Sequence, residues 1–188
     1  MTRIVAGALG GRRLTVPAGQ GTRPTSDRVR EALFSTLDHV ADLDGARFAD
    51  LYAGSGAVGL EACSRGAVHV LLAEADAKAA RIARSNIAAL GVGDRVRLVA
   101  DKVERLLAGT PDEPYDVVFL DPPYAVADER VHEVLRALVE RWLAGDAVVV
   151  VERSSRGAPM AWPEGLREHA ERRYGETTLW YARRDPDG

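Results

Sequence analysis

The chain has 188 residues, of which 46% are hydrophobic and 28% are charged, the composition of a single ordinary globular domain. One cysteine, Cys63, excludes both a disulfide framework and a zinc site built from several cysteines. The longest apolar run, residues 147–151, is much shorter than the roughly 20 residues that span a bilayer. No apolar signal segment follows residues 1–4. We therefore expect a cytoplasmic protein without a membrane-spanning segment.

The net charge of −3 and the isoelectric point of about 5.8 are not those of a protein that coats nucleic acid. The charge is uneven, however, because residues 1–31 hold six arginines and only two acidic residues, a local charge of +4. The six are Arg3, Arg12, Arg13, Arg23, Arg28 and Arg30. A solvated surface is one interpretation of this basic segment. The other is a phosphate-binding surface, since the planar guanidinium group can bond two phosphate oxygens at once.

The first 40 residues are predicted to form a small β-hairpin followed by a helix. Residues 4–6 and 13–16 are short strand candidates, and Gly10 and Gly11 form the turn between them. A loop that contains glycine and proline leads to Ser26, a favourable residue for the N-cap of a helix. Apolar side chains then repeat at helical spacing, which predicts one buried helix face. These side chains are Val29, Leu33, Leu37 and Val40.

From residue 46 the pattern alternates between strands and helices. The predicted strands are residues 47–51, 68–73, 96–100, 116–120 and 147–151, and the predicted helices are residues 57–65, 76–90, 102–108 and 128–143. Residues 166–173 and 177–183 then form an antiparallel hairpin on one edge of the sheet. This order predicts an α/β fold whose mostly parallel sheet carries helices on both faces. We interpret residues 1–40 as an extension and residues 41–188 as the main domain.

The sequence DLYAGSGAVG, residues 50–59, begins at the end of the first predicted parallel strand. Gly54, Gly56 and Gly59 have the G-x-G-x-x-G spacing of a loop whose backbone approaches a nucleotide cofactor. The amides at the start of the following helix can hold a carboxylate or a phosphate. A sharp strand-to-helix turn without any ligand is the alternative explanation of this pattern.

Two acidic residues follow the next predicted strands at the same edge of the sheet. Glu74 comes 20 residues after Gly54, where doubly wound folds place an acid that binds the ribose hydroxyls of a cofactor. Asp101 comes directly after the third strand, where its carboxylate can accept a hydrogen bond from an adenine amino group. Each of them also has a simpler interpretation, as a cap of the helix that follows it.

The most informative motif is Asp121-Pro122-Pro123-Tyr124, which follows the apolar strand of residues 116–120. Two consecutive prolines remove two backbone donors and restrict two φ angles, so we expect a rigid loop. The Asp121 carboxylate and the Pro122 carbonyl then become fixed acceptors beside the ring of Tyr124. Two acceptors and a flat ring suit the planar amino group of a stacked nucleobase. A rigid turn without a chemical role is the less favoured alternative.

These motifs, residues 50–59, Glu74, Asp101 and residues 121–124, resemble the successive motifs of the Rossmann-like S-adenosylmethionine-dependent amino-methyltransferases. Further stretches resemble the RsmD family, the bacterial 16S ribosomal RNA guanine-N2 methyltransferases. They are Arg3-Ile4-Val5-Ala6-Gly7, Gly11-Arg12-Arg13-Leu14, residues 23–25 with 28–34, residues 59–67 and residues 174–179. The resemblance covers nearly the whole chain. Lys102 departs from the family, which more often has a small or apolar residue there.

The resemblance implies a Rossmann-like methyltransferase fold with a seven-stranded sheet, and S-adenosylmethionine as the methyl donor. The implied activity is methyl transfer to the N2 amine of a guanine in 16S ribosomal RNA, within the small subunit or its assembly intermediate and without a metal ion. Combined with the residue patterns, it assigns cofactor binding to Asp50, Ala53, Gly54, Ser55, Gly56, Glu74, Asp101 and Asp121. It assigns catalysis to Asp121, Pro122 and Tyr124, and RNA binding to Arg12, Arg13, Arg23, Arg28 and Arg30.

Two other functions remain open on the sequence. The same catalytic motif occurs in enzymes that methylate DNA bases or a protein glutamine, although the chain has no long insertion for reading a DNA sequence. The glycine motif with Glu74 is also compatible with a nicotinamide dinucleotide-binding domain, which would leave residues 121–124 unexplained. The four histidines are isolated along the chain and predict no metal site, and Cys63 predicts packing rather than nucleophilic chemistry.

Overall fold

A computed structural model of the chain describes residues 2–18, 24–185 and 187. Its strands are β1 (Thr2–Arg3), β2 (Arg13–Leu14), β3 (Arg47–Leu51), β4 (His69–Ala73), β5 (Val96–Val99), β6 (Tyr115–Leu120), β7 (Leu143–Ser154), β8 (Leu166–Tyr174) and β9 (Thr177–Arg184). Its helices are α1 (Pro24–Val40), α2 (Ala57–Ser64), α3 (Ala77–Leu90), α4 (Val103–Leu107) and α5 (Asp128–Arg141). The predicted order of strands and helices is confirmed, and the boundaries differ by a few residues.

Within the described ranges, seven strands form one sheet in the order β5-β4-β3-β6-β7-β9-β8. The strands from β3 to β7 are parallel, and the hairpin of β8 and β9 joins β7 in antiparallel orientation at one edge. A parallel sheet is buried on both faces, which explains why its central strands are almost wholly apolar, such as the four valines at residues 148–151. The predicted α/β class with a mostly parallel sheet is confirmed.

Side chains along each strand alternate between two hydrophobic layers, one on each face of the sheet. One layer contains Phe48, Leu72, Phe119 and Val150, and it is covered by residues of α1, α2 and α3. The other layer contains Val149, and residues of α4 and α5 cover it. Polar side chains that continue either layer beyond the strand ends therefore lie at the rim of the sheet. No helix in the described ranges is both long and apolar enough to cross a membrane.

Helix α1 belongs to the N-terminal extension and packs directly on the sheet. It begins at Pro24, before the predicted N-cap Ser26. Proline is favoured in the first helical turn because the N–H that it lacks has no partner there. The predicted apolar face is found, with Val29, Leu33 and Leu37 buried and Val40 half-buried.

The hairpin of the extension is shorter than predicted, because the backbone next to its strands bonds to side chains of the main domain. Strand β1 occupies Thr2–Arg3 instead of residues 4–6. The N–H groups of Val5 and Ala6 donate instead to the Glu61 carboxylate, at 2.8 and 3.1 Å. A hairpin of this size has little stability alone, so such contacts anchor it to the main domain.

Glu61 holds the extension in place although its carboxylate is fully buried. Besides the two backbone donors, it accepts a hydrogen bond from Arg65 Nε at 2.9 Å, and Arg30 Nε lies 3.6 Å from its Oε1. A buried charge is tolerated only where it is paired and hydrogen-bonded, and Glu61 meets both conditions. One side chain of α2 thus ties together the hairpin, α1 and the main domain.

Candidate active site

Four carboxylates lie near the carboxyl ends of β3, β4, β6 and β7, on one face of the sheet. Each of them is two positions beyond an apolar residue of the same hydrophobic layer: Asp50 beyond Phe48, Glu74 beyond Leu72, Asp121 beyond Phe119, and Glu152 beyond Val150. The parallel register pairs Leu120 with Val151, so the next residues along the two strands, Asp121 and Glu152, lie side by side. Glu152 is absent from the predicted site, although an acid directly after four valines is a signal that could identify it.

The glycine loop after β3 is built around Asp50 and Gly59. Asp50 is 1% exposed, and its Oδ2 accepts a hydrogen bond from the Gly59 N–H at 2.9 Å. A Cβ on Gly59 would lie 2.3 Å from the Leu72 side chain, so α2 approaches the sheet this closely only because a glycine is present. Gly54 and Gly56 have φ angles of +58° and +85°, in the left-handed region that favours glycine.

Tyr52, directly after β3, is a non-glycine residue with a φ of +64°. A bulky residue is uncommon in this region and costs on the order of 1 kcal/mol or more, so its surroundings must hold it there. Burial raises the pKa of its phenol to about 12, and the side chain packs against the layer covered by α4 and α5. This strained residue directs β3 into the glycine loop, and strain of this kind concentrates at functional sites.

Glu74 connects the glycine loop to the start of α3. Its Oε1 accepts a hydrogen bond from the Gly54 N–H at 2.7 Å, and its Oε2 accepts one from the Asp76 N–H at 2.8 Å. Each carboxylate oxygen has a second lone pair, so both can accept a further hydrogen bond from a ligand. Asp76 caps α3 instead, since its Oδ2 accepts from the Ala79 N–H at 2.9 Å. Of the two interpretations of Glu74, the structure disfavours the helix cap.

Asp101 lies just beyond β5 at the same edge of the sheet and is half-buried. Its Oδ1 accepts a hydrogen bond from the Lys102 N–H at 2.7 Å and lies 3.2 Å from Arg105 Nη1. The N-cap position of α4 is Lys102 and not Asp101. Both contacts of Asp101 use Oδ1, which leaves Oδ2 available as an acceptor.

The loop of residues 121–124 leaves β6 at this same edge. Pro122 is buried, whereas Tyr124 is 70% exposed and presents a flat ring to solvent. The Asp121 N–H donates a long hydrogen bond to the Leu51 carbonyl at 3.4 Å, so the strand remains paired with β3 up to the loop. The structure thus brings an acidic side chain and an exposed aromatic ring together at the strand end.

Arg153, the residue after Glu152 in β7, holds this loop from the side. Its Nη2 donates to the Val126 carbonyl at 2.9 Å and to Asp128 Oδ1 at 3.0 Å. Its Nη1 also donates a long hydrogen bond to the Pro123 carbonyl at 3.5 Å, and the side chain is only 13% exposed. Arg153 is absent from the predicted site, because its partners precede it by more than 20 residues and leave no local signal.

Asp121 and Glu152 interact at the centre of the edge, where the register of β6 and β7 places them side by side. Burial, followed by the charge of Asp121, raises the pKa of Glu152 to about 9. Loss of solvation also raises the pKa of Asp121, because protein atoms crowd its carboxyl group although part of the residue is exposed. Burial raises the pKa of Asp50 well above its ordinary value, against the lowering effect of the Gly59 N–H. A cation bound among these groups would favour their ionised forms.

A pocket of about 610 Å³ opens beside Tyr124, between the loop, α5 and the segment after β7. This volume lies in the range of about 300–1,000 Å³ that is typical of small-ligand sites. Arg153, Arg156 and His132 contribute polar groups to its wall. His132 Nδ1 lies 3.0 Å from the Ala161 carbonyl, which can only accept, so the neutral ring carries its proton on Nδ1 and leaves Nε2 as an acceptor.

Asn86 on α3 joins the N-terminal extension to the glycine loop. Its side chain is buried, and its Oδ1 accepts a hydrogen bond from the Thr15 N–H at 2.8 Å. Its Nδ2 donates to the carbonyls of Thr15 and Ser55, at 2.9 and 3.0 Å. Asn86 is absent from the predicted site, because an asparagine within a helical pattern carries no sign of partners 71 and 31 positions away.

Three of the arginines assigned to RNA binding lie on the surface of the extension. Arg13 and Arg28 are exposed. Arg12 is exposed as well, although its Nη2 donates to the Ala89 carbonyl near the end of α3 at 2.9 Å. Arg23 lies outside the described residues.

Arg30 differs from these arginines, because its side chain is only 6% exposed. Its Nη2 donates to the Arg3 carbonyl, and its Nη1 lies 3.3 Å from Asp27 Oδ1. Its Nε faces the buried Glu61 carboxylate. A guanidinium enclosed by these groups does not reach a phosphate at the surface, so the assignment of Arg30 to RNA binding is corrected to a structural role.

Two of the residues set aside on the sequence, Cys63 and His69, lie inside the core or away from this edge. Cys63 is buried in α2, where burial raises the pKa of its thiol and makes the reactive thiolate scarcer. His69 Nε2 pairs with the Tyr115 hydroxyl at 2.9 Å, near the amino ends of the strands. Across the described part of the chain, no group of three or more His, Cys, Asp or Glu has the geometry to hold a metal ion.

Comparison with known proteins agrees with this geometry. The sequence model of the family described as conserved hypothetical protein 95 matches residues 2–183. Ribosomal RNA small subunit methyltransferase D of Escherichia coli strain K12 is 36% identical over 189 aligned positions, covering 99% of this chain and 91% of that protein. YlbH of Bacillus subtilis strain 168, a candidate rRNA methyltransferase, is 35% identical over 154 positions, covering 80% of this chain and 81% of that protein.

The solved structures lead to the same family. The structure of yhhF from Escherichia coli, a candidate methyltransferase, superimposes with a TM-score of 0.84 at 35% identity, and the match covers 98% of each chain. Both the sequence match and the structural match thus extend over almost the entire chain, the N-terminal extension included. The chain therefore belongs to the family described as conserved hypothetical protein 95, the RsmD family of methyltransferases.

Proposed function

We propose that the protein transfers a methyl group from S-adenosylmethionine to the exocyclic N2 amine of a guanine in 16S ribosomal RNA. The observation that carries this proposal is the carboxyl edge of the sheet, where Asp121 and the exposed Tyr124 adjoin a glycine loop and a set of carboxylates. The name of the Escherichia coli relative, a small-subunit ribosomal RNA methyltransferase, supports the substrate class. The resemblance to the RsmD family implies the guanine N2 position.

The charge of the site fits a cationic cofactor. S-Adenosylmethionine carries a sulfonium and an ammonium group, and these cations would favour the ionised forms of Asp50 and Asp121, whose pKa values burial raises in the protein alone. A nicotinamide dinucleotide would instead bring two negative phosphate groups against these carboxylates. The Gly54 N–H, which would hold a phosphate in that case, already donates to Glu74. The site therefore favours the sulfonium cofactor over the dinucleotide.

Each part of the edge has an acceptor for one part of this cofactor. Asp50 and the loop of residues 53–56 would hold the methionine end of the cofactor. Asp121 lies on the same face of the sheet as Asp50. The remaining lone pairs of Glu74 suit the ribose hydroxyls, since both of its oxygens can accept another hydrogen bond. Asp101 Oδ2 would accept a hydrogen bond from the adenine amino group. The bound cofactor supplies a methyl group that its positive sulfur already activates.

The residues of the chain then align the acceptor amine. The lone pair of an exocyclic amine is delocalised into the base, which makes the nitrogen a poor nucleophile. The Asp121 carboxylate and the Pro122 carbonyl would accept its two N–H groups and favour a pyramidal nitrogen whose lone pair points at the methyl group. Positioning of this kind can contribute about 7–11 kcal/mol. The amine proton leaves after methyl transfer, because methylation acidifies the nitrogen, and Asp121 or water accepts it.

The ring of Tyr124 and the pocket beside it would receive the acceptor nucleoside. Stacking of a base on an exposed aromatic ring contributes about 1–3 kcal/mol. The pocket continues from this ring to Arg153, Arg156 and His132, so a base that leaves its helix meets both an apolar floor and polar groups. A base-paired guanine hides its amine, so the target lies in a loop or is flipped out of a helix.

The exposed arginines of the extension would bind the RNA backbone next to the site. Arg13 and Arg28 are exposed, and Arg12 is held at the end of α3, on the side of the sheet that carries the acidic edge. The sequence also assigns Arg23 to this group of RNA-binding arginines. Phosphate contacts of this kind position RNA without reading its bases.

The decisive experiment is transfer of labelled methyl groups to three substrates, namely unmethylated small ribosomal subunits, naked 16S RNA and DNA, followed by nucleoside analysis. We expect N2-methylguanosine in one or both of the RNA substrates. Labelled adenine or cytosine in the DNA, or label in protein, would replace this proposal with one of the alternatives.

A further inference from the structure

Glu152 is the acid at the edge that the proposed chemistry does not use. It lies two residues beyond Val150 on β7, and its side chain continues the same layer as Phe119 and Asp121 on the neighbouring strand. It is half-buried, and the register of β6 and β7 places its carboxyl group beside that of Asp121. Two adjacent carboxyl groups can hydrogen-bond to each other only if one of them carries a proton.

The surroundings decide which group carries it. Asp50 on β3 and Asp121 on β6 face Glu152 with negative charge, whereas Arg153, the positive group nearby, acts on Asp121 and lowers its pKa. On the antiparallel side, Glu152 pairs in register with Leu179 of β9, whose neighbour Thr178 is uncharged. Burial together with these charges raises the pKa of Glu152 to about 9. The proton of the pair is therefore favoured on Glu152, which is half-buried, over Asp121, which is more exposed and has Arg153 nearby.

We propose that Glu152 is a positioning residue for Asp121: as a neutral carboxylic acid it donates a hydrogen bond to one Asp121 oxygen and leaves the other oxygen to accept the substrate amine. This inference rests on the proposed function, in which Asp121 binds that amine. A carboxylate held at one oxygen cannot rotate freely, so its second lone-pair direction stays aligned. The arrangement also limits the pair to a single negative charge.

Ionisation of Glu152 would remove this alignment. With both groups charged, the donated hydrogen bond is lost, and two adjacent carboxylates repel each other. Turnover should therefore fall as the pH rises through about 9, the pKa of Glu152. A glutamine at this position keeps a donor but cannot ionise, whereas an alanine has no donor at all.

The test compares wild type, Glu152→Gln and Glu152→Ala, with Glu140→Gln on the exposed surface of α5 as the matched control. Turnover and KM for the RNA substrate and for S-adenosylmethionine are measured from pH 6 to 10.5, with melting temperatures to confirm folding. We expect Glu152→Ala to lose about 10-fold to 100-fold in kcat, the scale of one charge-assisted hydrogen bond, with little change in either KM. Glu152→Gln should retain most of the turnover at neutral pH and lose the alkaline fall. The guanine meets every variant alike, so its own alkaline titration cancels in this comparison.

A carboxyl titration followed by carbon-13 NMR, without any substrate, tests the pair directly. Wild type should show one carboxyl group that titrates near pH 9, and Glu152→Gln should lack it. Absence of that group in wild type, wild-type turnover in Glu152→Ala, or an undiminished alkaline fall in Glu152→Gln would each overturn the proposal. Failure of the proposed function is a different result, because wild type itself would then produce no methylated guanine while the titration still reports on the pair.

Discussion

The carboxyl edge of the sheet and the N-terminal extension carry opposite charges, and the fold treats the two sets of charges differently. At the edge, acids from separate parts of the chain meet because parallel strands end at the same rim. In the extension, arginines that are close in sequence have different environments. Arg30 is enclosed by ion pairs, whereas Arg13 and Arg28 remain exposed.

This contrast shows when a sequence pattern indicates function. An acid at the end of a predicted parallel strand has a defined place, because strand direction and alternation determine both its edge and its face. A run of basic residues has no such rule, since the packing of neighbouring segments decides which side chains are enclosed. The edge was accordingly the more predictable of the two regions, and the following experiments test whether catalysis and RNA binding divide between them.

The largest effect should come from Asp121 at the edge. In Asp121→Ala the acceptor amine loses its charged partner, and we expect kcat to fall about 1,000-fold or more, while the affinity for S-adenosylmethionine stays within a few-fold. Calorimetry and single-turnover methyl transfer measure the two quantities. Asp112→Ala, before the amino end of β6, is the control. Loss of cofactor binding as well would mean that Asp121 also contacts the methionine end.

Removal of Glu61 should destabilise the junction between the two regions. Glu61→Ala leaves Arg30 and Arg65 without their buried partner and two backbone N–H groups without an acceptor. We expect the free energy of unfolding to fall by about 3–5 kcal/mol, measured by denaturant titration. Hydrogen exchange should also become faster at the Val5 amide. Glu31→Ala, an exposed acid on α1, is the control, and equal stability of the two variants would contradict the anchoring role.

Glu74 should affect cofactor binding and leave the fold intact. Glu74→Ala removes acceptors for the ribose hydroxyls, and we expect binding of S-adenosylmethionine to weaken by about 1–3 kcal/mol. Calorimetry measures the affinity, and circular dichroism confirms the fold. Asp94→Ala, at the opposite edge of the sheet, should bind normally. An unchanged affinity in folded Glu74→Ala would reject the ribose assignment.

The exposed arginines should change RNA binding and its salt dependence without affecting the cofactor. In the double variant Arg13→Ala, Arg28→Ala, we expect the slope of log affinity against log salt to become shallower by about 0.7–0.9 for each phosphate that the protein no longer neutralises. Arg97→Ala on β5 is the control, because this exposed residue lies near His69, at the amino ends of the strands. Parallel titration lines with equal affinity would show that RNA binds elsewhere, for example at the rim around Tyr124.

Much of the fold and part of the site follow from local pattern. Alternation of apolar strands with amphipathic helices predicts the parallel sheet, and residues 50–59, Glu74 and residues 121–124 indicate the edge, because glycine, acid and proline have positional meaning at strand ends. The partners of these residues could not be predicted in the same way. Arg153 and Asn86 bond to backbone groups many positions away, and neither has a local signal.

The sequence by itself therefore determined the order of the elements, the α/β class and four of the five acids at the edge, because these depend on periodicity and on which residue follows a strand. Only the tertiary structure decided that Glu152 joins Asp121, since that contact depends on the register of two strands that are neighbours in the sheet. It also decided that Glu61 encloses Arg30, because side chains of α1 and α2 meet only when both helices pack on the same face of the sheet. The physical reason is that a charge acquires its role from the groups that surround it, and packing brings most of those groups from distant parts of the chain.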